Sequence, residues 1–472
     1  MVMCNETSED MRETSRITGK VESFGIEFGI EYTGTSGSGS ILRIGYPKAL
    51  HDDVYNALKS VRPQMEAKNS KKYKWFEGYA ENACKMFVMM CVFDWIREYP
   101  QKYMVNVLDT TTMCLTWIHM YMEEAGIADI DMSMVNKNDK GFAQWRVILP
   151  QSFDTGSYSY DGSDLMVAEY DLSGTVFSRV FDRCIVAKDM SLRNGGVYTP
   201  KKKNAFKLEP DEEFVPPTVS YVSDYSLLTY RYSGKSLKDL MNEAYYVDMY
   251  VSNFGRPPVY KSGRIYNSFH FLPKYYRYNV EYNGSPLVEL FDLHCSFYTM
   301  SVGMILEKYP DIDIYNLKDF YYTCYSGELY NDIAESLGIT REEAKVKLQG
   351  WRNCWRYSTL HFEKYGYNDI SDYMEKHYPA ITAIYYAWPK RKTPKGIVKN
   401  LQIDYCEFET VLMSRFARMM KDKYGVTCFM LHDAAYISQA EKDTLPENIN
   451  RIIGNWFEYE LFGKYNNHNC ED

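Results

Sequence analysis

What this chain lacks narrows it first. Its 11 cysteines include no C-x-x-C pair and their number is odd. That argues against a zinc knuckle or a disulfide framework and for reduced thiols. Long apolar runs are also missing. The most apolar stretch, Met86 to Ile96, is interrupted by Asp94 and is too short to span a bilayer. The opening residues, MVMCNETSEDMRETSR, are polar and charged, unlike a secretory leader. A soluble cytoplasmic protein without a membrane partner is therefore expected. Net positive charge is absent too. A formal charge of −9 argues against a protein that coats nucleic acid electrostatically, but it leaves room for a local basic channel. Lysine-rich clusters exist at Lys71, Lys72 and Lys74, at Lys201 to Lys203, and at Lys390, Arg391, Lys392 and Lys395. Each alone reads as a solvated face or loop.

What is abundant is tyrosine, with 44 residues. Tyrosine suits stacking and hydrogen bonding to nucleic acid or carbohydrate, and compositional bias of a lineage explains it as well. At 472 residues the chain is long enough for several domains with real cores. Residues 1–45 read as weakly structured, ending in the linker-like TGTSGSGS from Thr33 to Ser40. Residues 46–129 carry broad apolar helical faces and form a helical module, a thumb or template-handling element by position. Residues 130–217 alternate short runs such as WRVILP, DLMVAEYDL and FSRVFDRCIVA, a mixed and partly β module. The acidic, proline-bearing KLEPDEEFVPP marks a boundary. From 218 to 472 the order is helix, loop, strand (PLVELFDL), helices, a long helix after Gln402, then a strand (VTCFMLHDAAYI) and a terminal helix. Few strands separated by helical insertions suit an α+β fold.

Two stretches carry the chemistry. VELFDLHCSF and CFMLHDAAYI each set one carboxylate, Asp292 and Asp433, at the edge of an apolar β-prone run. A buried unpaired carboxylate costs several kcal/mol, so it is paired, protonated or metal-bound. Two of them suggest a shared divalent-metal site. Between them, GITREEAKVKLQGW puts Arg341 and Lys345 four residues apart, on one helical face. Such a cation pair can grip the phosphates of a nucleotide.

In their order these elements resemble family A DNA polymerases, closest to divergent phage and mobile-element proteins with a reduced polymerase. Ser262-Gly263-Arg264 stands for the T-G-R element, Leu272-Pro273 for the following stretch, and Arg277 for the second arginine before motif A. Asp292 takes the motif A aspartate's place, Leu431-His432-Asp433 resembles motif C, and Arg341 with Lys345 resembles the fingers helix, motif B. The resemblance covers roughly residues 255 to 440. It implies a right-hand polymerase with palm, fingers and thumb-like helices, following an N-terminal mixed helical and β region. It implies extension of a primer on a DNA template by two-metal nucleotidyl transfer. Asp292 and Asp433 would hold two Mg²⁺ ions about 3.5–4 Å apart, with the Leu293 carbonyl completing the coordination. Arg341 and Lys345 would bind the nucleoside triphosphate, and Lys345 would protonate the leaving pyrophosphate. Arg264, Arg277, Gln402, His432 and Glu409 would handle the primer–template, with Glu407 an equally placed rival of Glu409. A monomer is expected.

The departures lie in substrate selection. Phe297 stands where the family has the glutamate that excludes ribose. It reads either as a bulky gate lining the nucleotide site or as a core aromatic. Gln349 and Asn353 replace an aromatic and a tyrosine of the fingers helix, with Trp351 and Trp355 nearby, and Ala434 replaces an acidic residue after Asp433. Glu169 and Asp171, near Asp161 and Asp164, look faintly like an exonuclease carboxylate site but read better as solvated acidic loops. A single-subunit RNA polymerase or primase-like enzyme, or a non-catalytic nucleic-acid-binding relic of the same fold, are the alternative readings.

Overall fold

A computed structural model describes residues 15–34, 39–97, 100–131, 146–149, 164–193, 197–198, 209–210, 223–233, 236–253, 259–261, 263–354, 362, 366–392 and 398–463. Ser262, Asp161, Lys201 to Lys203, Lys395 and Trp355 lie outside them. The protein is a mixed α+β chain that divides into two compact units, residues 1–198 with 230–252, and residues 199–229 with 253–472. Among the described residues no helix is long and apolar enough to cross a membrane.

The first unit opens with the segment expected to be weakly structured, and here the expectation fails. Strands β1 (Ser15–Ser23), β2 (Ile26–Gly34) and β3 (Ile41–Pro47) pair antiparallel in sequence, and β3 pairs with β4 (Leu165–Asp171). The reason is strict alternation. Ile26, Phe28, Ile30 and Tyr32 all point into the core, with Leu42, Ile44 and Tyr46 beside them, as a half-buried strand requires. The supposed linker is the end of β2 and its connection to β3. On the outer face Arg16–Glu31 (2.9 Å) and Arg43–Glu169 (2.7 Å) pair across strands. Glu169 is thus a solvent-face partner, and Asp171 accepts from the N–H of Ser173 at 2.9 Å.

The helices expected as a separate module share this core. α1 (Lys48–Ser60), α2 (Glu77–Val92) and α3 (Thr112–Glu124) pack with the sheet and with α4 (Val176–Arg193) in one buried cluster. FSRVFDRCIVA is part of helix α4. Tyr32 stacks on Phe181 at 4.4 Å, and Trp95 on Tyr245 at 4.2 Å. Tyr245 belongs to α5 (Leu237–Asn253), so a helix expected to belong with residues 218–472 falls in the first unit, which includes residues 230–252.

The second unit places β9 (Phe429–Leu431), β10 (Ala434–Ser438), β8 (Ser285–Asp292) and β7 (Val280–Tyr282) side by side, all antiparallel. β5 (Val259–Lys261) and β6 (Arg264–Tyr266) form a separate hairpin. The β7–β8 turn is Asn283-Gly284, both at positive φ (52° and 75°), the residue pair that a tight hairpin favours. The stretch read as one strand around Asp433 is instead the β9–β10 hairpin. His432 and Asp433 form its two-residue turn, with His432 at φ 56°. Helices α6 (Ser296–Lys308), α7 (Ile314–Ser326), α8 (Glu328–Leu337), α9 (Arg341–Cys354), α10 (Leu401–Tyr424) and α11 (Ile449–Phe462) share a second core. Phe291 of β8 packs edge-on against Phe416 and Phe457.

Candidate active site

Register brings the two aspartates together. In the β8–β10 ladder Asp292 pairs with Ala434, and the N–H of Leu293 donates to the carbonyl of Asp433 at 3.3 Å. The turn at His432-Asp433 therefore stands beside the end of β8. A bulge between Glu289 and Phe291 shifts the ladder. Period-two alternation would send Glu289 and Asp292 to opposite faces; the extra residue sends them to the same side. Lys274 reaches both, 2.8 Å from Glu289 Oε2 and 3.3 Å from Asp292 Oδ2.

Asp292 is exposed and Asp433 is half-buried. Burial raises the Asp433 carboxyl above its usual range. A hydrogen bond from Ser296 opposes this, and the negative charge of Asp292 adds to it. Two carboxylates that repel one another at the edge of a cavity form a site a cation would relieve.

That cavity has a volume of about 430 Å³ and is lined by Asp292, Leu293, Asp433, Phe297 and Arg264 on one side and by α9 on another. The start of α9 is set by a capping box. Thr340 Oγ1 accepts from the N–H of Glu343, and Glu343 accepts from the N–H of Thr340 at 2.8 Å, the T-x-x-E signature. Arg341 and Lys345 line the cavity, as their spacing predicts. Both act on the Cys295 thiol, which burial pushes up to about 11 against their opposing charge. The Arg341 guanidinium lies 5.4 Å from the ring centre of Tyr330.

Of the other expected residues, Arg264 and Phe297 reach this cavity, while Arg277, Gln402, His432 and Glu409 do not line it. Arg264 lines the cavity, but its Nε and Nη2 donate to Glu409 Oε2 and Oε1 at 2.6 and 2.8 Å. Tyr405 donates to the same carboxylate at 2.5 Å. Glu409 is buried, which raises its carboxyl, with Arg264 opposing and Asp433 reinforcing. Of the two glutamates, Glu409 holds Arg264, while Glu407 lines a different cavity. Gly263, at φ 89°, sits so close to α10 that a Cβ would fall 2.7 Å from Cys406 Cβ and 2.8 Å from the backbone N of Glu407.

Arg277 is engaged beside the sheet, donating to the Leu272 carbonyl at 2.8 Å and to Tyr436 Oη at 3.1 Å. Gln402 turns its Nε2 toward Cys406 Sγ at 3.4 Å. His432 packs edge-on against His270 and Tyr266. Burial, with Arg264 and the neighbouring His270, pushes its pKa down to about 2, so it is a neutral imidazole. Phe297 is buried in the first turn of α6 against Tyr405 and Tyr298, yet it lines the cavity. It is both a core aromatic and a wall.

Comparison with protein-family models, with curated proteins and with solved structures finds no match. The site's chemistry therefore rests on its geometry.

Sequence reasoning missed three of its parts. Lys274 and Glu289 meet Asp292 only through the bulge, which leaves no mark in an apolar alternating run. Arg352, a third cation of α9 on the cavity wall, was detectable: positions 341, 345, 348 and 352 repeat at the spacing of one helical face. Among the described residues no group of three or more His, Cys, Asp and Glu side chains is arranged to hold a metal, so the cavity offers a cation two carboxylates.

Proposed function

We propose that the chain is a template-directed nucleotidyltransferase with a polymerase-like palm, extending a nucleic-acid primer, a DNA primer–template in the first instance. The observation that carries this is the single cavity shared by two mutually repelling aspartates and a helix face bearing Arg341 and Lys345. Acid on one wall and base on the other suits a metal-bound triphosphate, which brings both signs of charge.

The donor set fits Mg²⁺, which keeps several waters and takes one or two carboxylates plus substrate phosphates rather than a full protein cage. Asp292 and Asp433 would hold it. When bound, Mg²⁺ would lower the charge barrier between the primer 3′-oxygen and the triphosphate and stabilise the leaving group. Arg341 and Lys345 would bind the outer phosphates, and Lys345 would hand a proton to the departing pyrophosphate. The Glu409–Arg264 pair fixes the wall behind Asp433, with N–H groups of Arg264 not used by Glu409 left for a phosphate contact that positions without reading sequence. Phe297 would bound the pocket where the sugar sits.

A primer-extension assay with Mg²⁺ tests this, run in parallel with dNTPs and NTPs. Incorporation of dNTPs supports a DNA polymerase, and incorporation of NTPs alone assigns the same chemistry to RNA synthesis. No incorporation of either, with primer–template still bound, would leave a binding protein.

A further inference from the structure

Arg352 and Lys345 are the cavity cations without an ion pair among the described residues, and of the two only Arg352 has a buried N–H without a hydrogen-bond partner. Arg264 is neutralised by Glu409, Arg341 lies 3.8 Å from Glu342, and Lys347, on another face of the helix, pairs with Asp369. Arg352 has no ion pair among the described residues, and its Nε–H is buried without a hydrogen-bond partner. Its guanidinium lies 5.0 Å from the ring centre of Phe297, and the residue lines the cavity. An arginine held against an aromatic face, in a cavity wall, without a counter-charge, is a donor group awaiting an acceptor.

Its place along α9 says which acceptor. Arg341 and Lys345 are one turn apart, whereas Arg352 lies about 10 Å further along the axis than Lys345, at 1.5 Å per residue. If the first two hold the outer phosphates, Arg352 stands beyond them, beside Phe297. Resting on the nucleotidyltransferase reading, we infer that Arg352 binds the nucleoside end of the incoming nucleotide. Its planar fork donates to oxygen acceptors there while Phe297 supports its plane.

The test is equilibrium binding of dTTP and of inorganic tripolyphosphate to the full chain with Mg²⁺, for wild type, Arg352→Met, Arg352→Lys and Arg341→Ala. Arg352→Met should weaken dTTP about tenfold or more, the loss of one charge-assisted contact, and leave tripolyphosphate unchanged. Arg352→Lys, which keeps the charge and loses the fork, should weaken dTTP less and also leave tripolyphosphate unchanged. Arg341→Ala should weaken both ligands. Unchanged dTTP affinity in both Arg352 variants, or equal losses for dTTP and tripolyphosphate, would overturn the assignment while leaving the nucleotide site standing. Wild-type protein that binds tripolyphosphate but not dTTP would instead overturn the nucleotide reading of the cavity.

Discussion

The N–H of Leu293 donates to the carbonyl oxygen of Asp433 at 3.3 Å, tying the end of one strand to a hairpin turn some 140 residues later in the sequence. That backbone contact, with Asp292 opposite Ala434 in the ladder, sets both carboxylates by strand register rather than by flexible loops. Side chains placed by rigid elements hold the narrow geometry that catalysis needs.

The Arg264–Glu409 pair should be the most sensitive structural element behind the cavity. Glu409→Ala leaves a half-buried guanidinium uncompensated and should cost about 3–5 kcal/mol, read as a lowered denaturation midpoint. The double variant Arg264→Met with Glu409→Leu should recover most of that stability, because it removes both charges together. Recovery of the fold without recovery of primer extension would separate packing from function.

Gly263→Ala should be destabilising at a position with no side chain to lose. Its φ of 89° and the 2.8 Å approach to the backbone of Glu407 leave no room for a methyl group. A strained backbone of this kind costs about 1–3 kcal/mol, before the clash with α10 is counted. Thermal unfolding of the variant checks this, and a melting temperature equal to that of the wild type would mean that the hairpin and helix are not packed as described.

Lys274→Met should raise the affinity for Mg²⁺. The lysine ammonium touches Asp292 and competes with any cation there. Because the pair is solvent-exposed, the effect should be modest, about two- to fivefold, in keeping with roughly 1 kcal/mol or less for exposed ion pairs. A titration of activity against Mg²⁺ gives the number, and weaker binding in the variant would show that Lys274 supports the site rather than competing for it.

Stability should fall on the acid side of neutrality. His119 is fully buried, and desolvation pushes its pKa down to about 3, below the ordinary 6.5. A depressed histidine is neutral in the folded protein and charges on unfolding. Its contribution is therefore fully present above pH 6.5 and is lost as the pH falls toward 3, at about 1.4 kcal/mol per pH unit. His270, pushed down to about 4 by burial, acts in the same direction. Denaturation midpoints measured from pH 7 to pH 4 should decline, and His119→Phe should flatten the decline.

Much of the site was legible because its elements are local. The β8 run announced a strand ending in Asp292, and R-x-x-x-K announced one helix face. Longer-range relationships were not legible. The strands before residue 47 were passed over because glycines and serines around Gly34 masked a clear alternation in Ile26, Phe28, Ile30 and Tyr32. The division of α5 from the second unit depends on Tyr245 meeting Trp95, a contact across about 150 residues. The β9–β10 hairpin was hidden because its turn is His-Asp, without the glycine or asparagine that normally marks positive φ. Glu409 and Arg264 read in sequence as two separate primer–template contacts, and only burial shows that each needs the other.

Asp433 is the residue on which nucleotidyl transfer at this site depends most directly. Primer extension by Asp433→Asn, at saturating Mg²⁺ and nucleotide, should fall by about a hundred- to a thousandfold, on the order expected when a charge-stabilising group of the active site is lost. Primer–template binding and thermal stability should stay close to those of the wild type, because asparagine keeps the shape of the turn. Wild-type rates of incorporation in that variant would contradict the account and remove the Asp292–Asp433 pair from the chemistry.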